Sequence, residues 1–341
     1  MSTTTTTLLD RYEEAKQQNP KMRIRDMAKH LGVSEADLVA TGVGNHVTLL
    51  QGDWEELLKE VHTMGKVMAL TRNDDCVHER KGVYNNVSFE NHVGLVLDPD
   101  IDLRLFMMHW KFGFAVNEND RLSLQFFDKS GDAVHKIYMI EGSHLDAYKA
   151  IVDKYKAPEQ IAEITTEVYS APPAEKPDVE IDAAGLREEW KNMTDTHQFF
   201  GITRKYGVTR KQALRLAPEG FVQEVDNSKV RKLLEVSVEK QVPIMIFVGS
   251  RGCIQIHTGE IYKLMEAGPW FNILDPELNL HLRTTAVDTT YIVKKPSEAG
   301  IVTALEVFDK AGNLIVQFFG KRKPGIPELE NWREAVAEIA G

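Results

Sequence analysis

The sequence has only two cysteines, Cys76 and Cys253, in 341 residues. They form no CxxC pair, no zinc-ligand spacing and no CxxCH attachment motif, so structural zinc and covalent haem attachment lack support. Because free cysteine is among the residue types most often buried, we expect both in the core. The P-loop, GxGxxG, HExxH and GxSxG motifs are absent as well, which leaves nucleotide-dependent and simple hydrolytic chemistry without support.

Long apolar stretches are also missing from the sequence. No run approaches the length of a membrane-spanning helix, and the first residues lack the basic start and apolar run of a secretory signal. We therefore expect a cytoplasmic protein without membrane insertion. The balance of 41 Lys and Arg against 51 Asp and Glu gives a net charge of −10, which argues against a general nucleic-acid surface. An anionic ligand would need a local basic cluster.

What the sequence does contain is an internal repeat. LDPDIDLRL at 97–105 recurs 177 residues later as LDPELNLHL at 274–282, and the two cysteines have the same separation. FDKSGD at 127–132 recurs as FDKAGN at 308–313. Upstream, LGVSEADL at 31–38 resembles YGVTRKQA at 206–213. A chain of this length exceeds what one core usually organises, so the repeat predicts a tandem duplication with two domains.

The boundary between the copies is predicted at SAPPAEKPDVE, residues 170–180, whose prolines and charges are typical of an exposed linker. We place an N-terminal repeat at 1–170, the linker at 171–180 and a C-terminal repeat at 181–341. In each copy apolar residues first recur at helical spacing and later alternate as in strands. This order predicts an α+β fold made twice, each half a large, mainly antiparallel β-sheet flanked by α-helices.

One histidine occurs in an apolar pattern. If the segment around TDTHQFF is one continuous helix, His197 shares its apolar face with Trp190, Met193 and Phe200. A histidine in that position is either a core residue satisfied by hydrogen bonds or a neutral imidazole offered as axial ligand to an iron porphyrin. The spacing leaves both interpretations open. His78, in CVHERKGVY, is a second candidate ligand, with a structural role as the alternative.

Two basic features could bind an anion. Thr209 is a predicted cap for a helix beginning at Arg210, which would bring backbone N–H groups, the helix dipole and a guanidinium together. The run QFFGKRKPG at 317–325 concentrates three further cations, Lys321, Arg322 and Lys323. The alternatives are an ordinary cap with a solvated arginine and a solvated turn. In the functional interpretation, the two features would lie together and bind one anion, forming an anion clamp.

Arg104 lies in IDLRLFMMHWKFGFAV, residues 101–116, which we predict to be one long strand. Alternation puts its side chain on one face with Phe106, Met108, Trp110, Phe112 and Phe114. A guanidinium among such neighbours is either stacked, paired with a carboxylate or lining a pocket. The equivalent residue of the other copy is His281, which suggests that only one copy keeps a site here.

A helix-turn-helix pattern occurs in IRDMAKHLGVSEADLVA at 24–40. Its second helix would begin with Ser34, Glu35, Ala36 and Asp37, and the two carboxylates would repel DNA phosphates. Together with the net charge of −10, this disfavours DNA binding.

The sequence also resembles a known family over nearly its whole length. MTDTHQFF at 193–200, YGVTRKQALRL at 206–216, LDPDIDLRLF at 97–106 and FFGKRKPG at 318–325 are similar to strings of the HemS/ChuS/PhuS family of bacterial haem-degrading and haem-trafficking proteins. The resemblance implies two large antiparallel sheets flanked by helices, with haem in a cleft between the halves. It implies an internal duplication as well.

The resemblance also implies roles for individual residues. His197 matches the proximal ligand of the haem iron, and Arg104 matches the distal arginine, which would donate hydrogen bonds to water, hydroxide or dioxygen. Positions that hold the haem propionates or form the pocket rim are matched by Arg210, Lys295, Gln317 and Arg322. Phe319 is a departure, because at least some members carry tyrosine there and would make a hydroxyl contact to haem.

Two functions follow from the resemblance, and the sequence does not separate them. In one, haem b is both ligand and substrate, the porphyrin ring is opened, and an external donor supplies the electrons. In the other, the protein is a carrier that stores haem or delivers it to a separate haem oxygenase. An electron-donating reductase and a haem ABC transporter are further partners that these functions would involve.

Overall fold

The computed structural model describes residues 6–323 and 325–341. Residues 1–5, on which the expectation of no secretory signal partly rests, and Pro324 of the basic run lie outside the described residues. Within the described part the α-helices are α1 (Leu8–Gln18), α2 (Ile24–Leu31), α3 (Glu35–Ala40), α4 (Trp54–Glu60), α5 (Leu145–Tyr155), α6 (Ala183–Lys191), α7 (Gln198–Tyr206), α8 (Arg210–Arg215), α9 (Ser228–Glu239) and α10 (Glu330–Ala340).

The strands of the first half are β1 (Val47–Leu50), β2 (Gly65–Arg72), β3 (Cys76–Gly82), β4 (Val87–Glu90), β5 (Val93–Leu97), β6 (Asp102–Phe106), β7 (Phe112–Glu118), β8 (Arg121–Phe127) and β9 (Ala133–Ser143). Those of the second half are β10 (Val222–Val225), β11 (Ile244–Gly249), β12 (Cys253–Gly259), β13 (Leu264–Ala267), β14 (Trp270–Leu274), β15 (Leu278–Arg283), β16 (Thr289–Ser297), β17 (Gly300–Phe308) and β18 (Leu314–Gly320).

The two halves repeat one element order, which confirms the predicted duplication. Within the described residues, each has three α-helices, one strand, a fourth α-helix, eight strands and a last α-helix. Local chemistry repeats too: α2 and α7 both end at a glycine with positive φ, Gly32 at 68° and Gly207 at 62°. Only glycine adopts this left-handed conformation without steric cost, so each LGV or YGV segment stops its helix at the same place. The strands form two nine-stranded sheets, confirming the α+β class.

The first compact unit comprises the described residues up to Arg72, together with Glu79–Ser170 and Ser250–Gln255. Five of its strands are neighbours in the order β1-β7-β8-β9-β2, and β4, β5 and β6 are neighbours in that order. The resolved pairings are antiparallel, for example Gln125 of β8 opposite Lys136 of β9. Its main core packs α4 and α5 against the sheet, around Leu57, Leu124 and Ile151.

The second compact unit comprises Asn73–His78, Ala171–Gly249 and Ile256–Gly341. Its neighbouring strands are β10-β16-β17-β18-β11 and β13-β14-β15, again with antiparallel pairing. One core contains residues of α9 and α10, and another contains residues of α6, α7 and α8 together with Val293 and Phe308. The units are therefore discontinuous in sequence, because the equivalent segments 73–78 and 250–255 each belong to the unit built from the other half.

Both cysteines are buried free thiols, as predicted. Burial raises the pKa of Cys253 to about 12, so its thiol stays protonated at physiological pH. In the described part of the chain, no helix is long and apolar enough to cross a bilayer.

Candidate functional site

The helix predicted around TDTHQFF is two helices, and this changes the place of His197. Helix α6 ends at Lys191, and His197 is the residue immediately before α7. Its side chain is 89% exposed, and Phe200 is 74% exposed, whereas Trp190 and Met193 are buried. The prediction that these four residues share one apolar face is therefore wrong. His197 is presented to solvent at the start of a short helix.

A local hydrogen-bond network causes the break between α6 and α7. The side-chain oxygen of Gln198 accepts from the backbone N–H groups of Thr194 and Asp195, at 2.9 and 3.3 Å. The carbonyl of Thr194 also accepts from the backbone N–H of Glu298, in the turn between β16 and β17, at 2.8 Å. Side chains that bond the nearby backbone compete with helix formation, so the chain turns here instead of continuing.

Asp195 fixes the orientation of His197. Its Oδ1 accepts the backbone N–H of His197 at 2.7 Å and lies 2.6 Å from Nδ1 of the ring. The hydrogen bond from the His197 backbone contributes most to lowering the pKa of Asp195, and the charge of Arg322 lowers it further. Because an ionised carboxylate can only accept, the ring proton belongs on Nδ1. The Nε2 lone pair of the neutral ring is then left available to a metal.

Helix α7 has one buried and one exposed side at its first turn. Phe199 is buried and packs edge to face on Trp190, with ring centroids 4.6 Å apart. The neighbouring Phe200 faces solvent with His197. The buried side anchors the helix to unit 2, and the exposed side offers an imidazole and an aromatic ring together.

Thr209 caps the helix that begins at Arg210, as predicted. Its hydroxyl oxygen accepts from the backbone N–H of Gln212 at 3.1 Å. The guanidinium of Arg210, however, does not point to solvent alone. Its Nε and Nη2 donate to the two carboxylate oxygens of Glu306, at 2.7 and 2.6 Å. The anion that Arg210 holds in this structure is thus a protein side chain.

Two more of the predicted anion-binding residues meet the same carboxylate. Lys295 Nζ and Gln317 Nε2 donate to Glu306 Oε1 at 2.6 and 3.1 Å. Burial raises the pKa of Glu306, but the charges of Arg210 and Lys295 outweigh it and bring the value to about 2. Burial lowers the pKa of Lys295 to about 8, although Glu306 opposes that shift. The structure therefore brings Arg210, Lys295 and Gln317 together.

The other two candidates of the second half, Phe319 and Arg322, make different contacts. Phe319 is two residues beyond Gln317 on the same face of β18 and packs edge to face on Phe247, with centroids 4.9 Å apart. Arg322 follows β18, and its Nη2 is 3.5 Å from the hydroxyl of Thr196. The basic run thus approaches the loop before His197.

Arg104 lies in β6 of the first unit, in surroundings that differ from the prediction. The segment 101–116 is two strands, because a 3-10 turn at Met107–His109 separates β6 from β7. The expected face shared with Trp110 and Phe114 is therefore wrong. Arg104 is one-third exposed and forms an ion pair with Asp102, two residues earlier on the same face. This matches the paired alternative that the sequence left open.

The structure also shows the surroundings of two further candidates, His281 and His78. His281, the equivalent of Arg104, hydrogen-bonds through Nδ1 to the side-chain oxygen of Asn272 at 2.7 Å. His78 is fully buried in β3.

The second helix of the helix-turn-helix pattern, α3, has most of its residues buried, including Glu35 and Leu38. That burial is unfavourable for a helix that would have to enter a DNA groove.

Sequence reasoning missed two carboxylates, Asp195 and Glu306. Asp195 does have a local signal, its place two residues before His197. Glu306 interrupts the apolar strand run IVTALEVF, and a lone carboxylate in such a run signals a buried ionic partner. Its partner Arg210 is 96 residues away in sequence, which no local pattern reveals.

Comparison with known proteins gives a consistent result. Residues 32–155 and 207–339 match the family model described as the haemin-degrading HemS.ChuX domain. Over 337 residues the chain is 39% identical to the hemin transport protein HmuS of Yersinia pestis, with 97% of both chains covered.

Solved structures with a similar fold include two proteins that span the whole chain. Apo-PhuS, a heme-binding protein from Pseudomonas aeruginosa, superposes with a TM-score of 0.96 at 45% identity, covering 98% of both chains. ChuS, a heme oxygenase from E. coli, gives a TM-score of 0.89 at 32% identity, covering 98% of this chain and 99% of its own.

Proposed function

This chain belongs to the haemin-degrading HemS.ChuX family, and on that basis we propose that it binds haem and degrades it, opening the porphyrin ring and releasing iron. The ligand is haem b, used in bacterial iron acquisition, and the protein works in the cytoplasm. His197 is the proposed axial ligand of the iron. Arg210, Lys295, Gln317 and Arg322 are the proposed contacts of the haem carboxylates or the pocket rim.

The observation that carries this proposal is the environment of His197. The ring is 89% exposed, its Nδ1 proton is directed to Asp195, and no described residue hydrogen-bonds to its Nε2. A metal-binding histidine commonly has this arrangement, with a carboxylate on the other ring nitrogen that fixes tautomer and basicity. The exposed ring of Phe200 beside it is the apolar surface that a porphyrin face requires.

The carboxylate contacts have separate support. Haem carries two carboxylates, and Arg210 keeps a third of its side chain exposed while its inner edge binds Glu306. Arg322 is near the loop that holds His197. These cations lie in an otherwise acidic chain of net charge −10, so they provide the local positive charge that an anionic ligand needs. Phe319 would contact the porphyrin without a hydroxyl hydrogen bond.

When bound, haem would supply redox-active iron and would itself be the substrate, with electrons from an external donor. His197 would bind the iron. Arg104, paired with Asp102 but one-third exposed, is the proposed donor of N–H hydrogen bonds, in the role of the family's distal arginine. That distal role is taken from the family resemblance, and its test is given in the Discussion.

A carrier is the second candidate, favoured by the exposure of His197 and by the name of the relative HmuS, a hemin transport protein. A ligand residue that is open to solvent suits release as well as capture. In that case the partners would include a separate haem oxygenase or a haem ABC transporter, and a reductase would not be needed.

One experiment tests the proposal and separates its two versions. The purified protein is titrated with hemin, ascorbate is added, and the spectrum and products are followed with and without oxygen, with catalase present to remove free peroxide. We expect a saturable Soret shift, then oxygen-dependent loss of the Soret band with an open-chain tetrapyrrole and released iron. A stable Soret band with no such product contradicts degradation and supports the carrier. Absence of saturable binding contradicts both.

A further inference from the structure

We propose that Glu306 is a positioning residue: it holds Arg210 and Lys295 from their inner side, so that the outer edge of the Arg210 guanidinium meets one carboxylate of the ligand. This inference rests on the proposed haem-binding function. It assigns a role to a carboxylate outside the residues that the resemblance implies, and it makes the site selective for a porphyrin that carries a free carboxylate.

The hydrogen-bond pattern of Arg210 leaves one edge of its guanidinium unused. Glu306 is fully buried and takes Nε and one hydrogen of Nη2. The hydrogens of Nη1 and the second hydrogen of Nη2 point away from that carboxylate, because the guanidinium is planar with donors in a fixed fork. Since 33% of the Arg210 side chain is exposed, this outer edge is the part that a ligand can reach. A second carboxylate fits there in a bidentate pair.

The charges of the cluster allow one more anion. Arg210 and Lys295 carry two positive charges, and Glu306 neutralises one of them. A buried cation without a partner is costly, so Glu306 makes it possible to keep both cations in place before the ligand arrives. One net positive charge remains for one ligand carboxylate.

The aromatic ring of Phe199 packs against the two cations that Glu306 binds. Phe199 has its ring centroid 4.5 Å from Lys295 Nζ and 5.3 Å from the Arg210 guanidinium carbon. Phe199 is two residues after His197. The helix that begins beside the proposed iron ligand therefore packs directly on the cations that Glu306 holds, which ties both parts of the proposed site to one rigid element.

The first unit offers an internal comparison. Glu35, Lys136 and Arg72 form a similar buried cluster, with Lys136 Nζ 2.6 Å from Glu35 Oε1. By the repeat, Glu35 is equivalent to Arg210 and Lys136 to Gln317, so the carboxylate now comes from the helix and the cations from the sheet. Lys136 is buried and Arg72 nearly so. This cluster has the same charges but no exposed guanidinium edge comparable to that of Arg210.

The test measures selectivity between hemin and hemin dimethyl ester, which lacks free carboxylates, in the full-length chain. We expect Glu306→Gln to weaken hemin binding about tenfold, the order of one charge-assisted hydrogen bond, while ester binding changes by less than about twofold. The same substitution in an Arg210→Gln background should add little, because Glu306 acts through Arg210. Glu35→Gln is the matched control: it removes an equally buried carboxylate and should keep the wild-type selectivity while lowering thermal stability.

Several results would overturn the proposal. They are an unchanged hemin-to-ester ratio in Glu306→Gln, an equal loss for both porphyrins, or a Glu306→Gln effect that persists undiminished without Arg210. If Glu306→Gln does not fold, Glu306→Asp is used instead, because the shorter side chain keeps the charge but moves the carboxylate away from Arg210. An unchanged hemin-to-ester affinity ratio in that variant overturns the proposal equally. A wild type that binds both porphyrins alike removes the carboxylate contact and leaves haem binding intact. A wild type that binds neither contradicts the proposed function itself.

Discussion

The guanidinium of Arg210 binds the carboxylate of Glu306 side-on, with both contacts between 2.6 and 2.7 Å, although 96 residues separate the two in sequence. The pair joins the first residue of α8 to the middle of the β-sheet in the second unit. Lys295 and Gln317 complete the group around the same carboxylate. Three residues that the resemblance assigns to the haem propionates or the pocket rim are thus already organised by an internal carboxylate.

Asp195 is predicted to fix the tautomer of His197 and so to raise its affinity for the haem iron. Asp195→Asn replaces a carboxylate that only accepts with an amide that can also donate, so the His197 tautomer is no longer fixed. We expect hemin affinity to fall by about tenfold to a hundredfold, with a shifted Soret maximum. Optical titration measures both. Asp102→Asn, which removes a carboxylate beside Arg104 in the other unit, serves as the control and should keep wild-type hemin affinity. Equal affinity and spectrum in Asp195→Asn would refute the role.

Arg104 is predicted to act on turnover more than on binding. Arg104→Ala removes the distal donors but none of the proposed iron or carboxylate contacts, so hemin should still bind. The rate of ascorbate-driven degradation should fall on the order of a hundredfold, as when one donor to developing negative charge is removed. Rates are followed by Soret loss in single turnovers. Undiminished degradation in the variant would remove Arg104 from the mechanism.

His135 is predicted to make the first unit sensitive to acid. Its Nε2 is 2.5 Å from the Tyr84 hydroxyl and its Nδ1 is 2.8 Å from the Thr71 hydroxyl, in a buried group that also contains Cys253. Burial lowers the pKa of His135 from 6.5 to about 3. Below pH 6.5 the unfolded chain therefore takes up a proton that the folded chain does not, and stability is lost as pH falls towards 3.

The measurement is the free energy of unfolding at several pH values for the wild type and for His135→Gln. Between pH 6 and pH 4.5 the wild type should lose about 1.4 kcal/mol per pH unit more than the variant. His92→Gln, at an exposed histidine, is the control and should follow the wild type. A difference between wild type and His135→Gln that stays constant over this range would contradict the prediction.

The architecture was predictable because the sequence contains two copies of the same pattern. The repeats at 97–105 and 274–282, and the shift from helical to strand spacing in each half, predict two copies in which helices precede most of the strands, as the structure shows. The strand between the third and fourth helices and the last helix of each copy were not predicted. The exchange of segments 73–78 and 250–255 between units was not predictable. Periodicity reports which face of an element is buried but not which other segment covers it.

The site was predictable as a set of residues but not as a geometry. The apolar spacing of Trp190 and Met193 continues by coincidence to His197 and Phe200, across a loop that side-chain hydrogen bonds create. The apolar run around Arg104 likewise conceals a 3-10 turn. In both places local polar chemistry overrides an uninterrupted hydrophobic pattern, so the predicted faces were wrong while the residue types were informative.

The central claim is that the iron of haem is bound by His197 through Nε2. It is tested most directly by anaerobic titration of His197→Ala with hemin, beside the wild type and beside His92→Ala as an exposed-histidine control. We predict that the wild type and His92→Ala give the same saturable Soret band, and that His197→Ala binds at least about tenfold more weakly with a different Soret position. A His197→Ala titration that matches the wild type in affinity and spectrum would contradict the account.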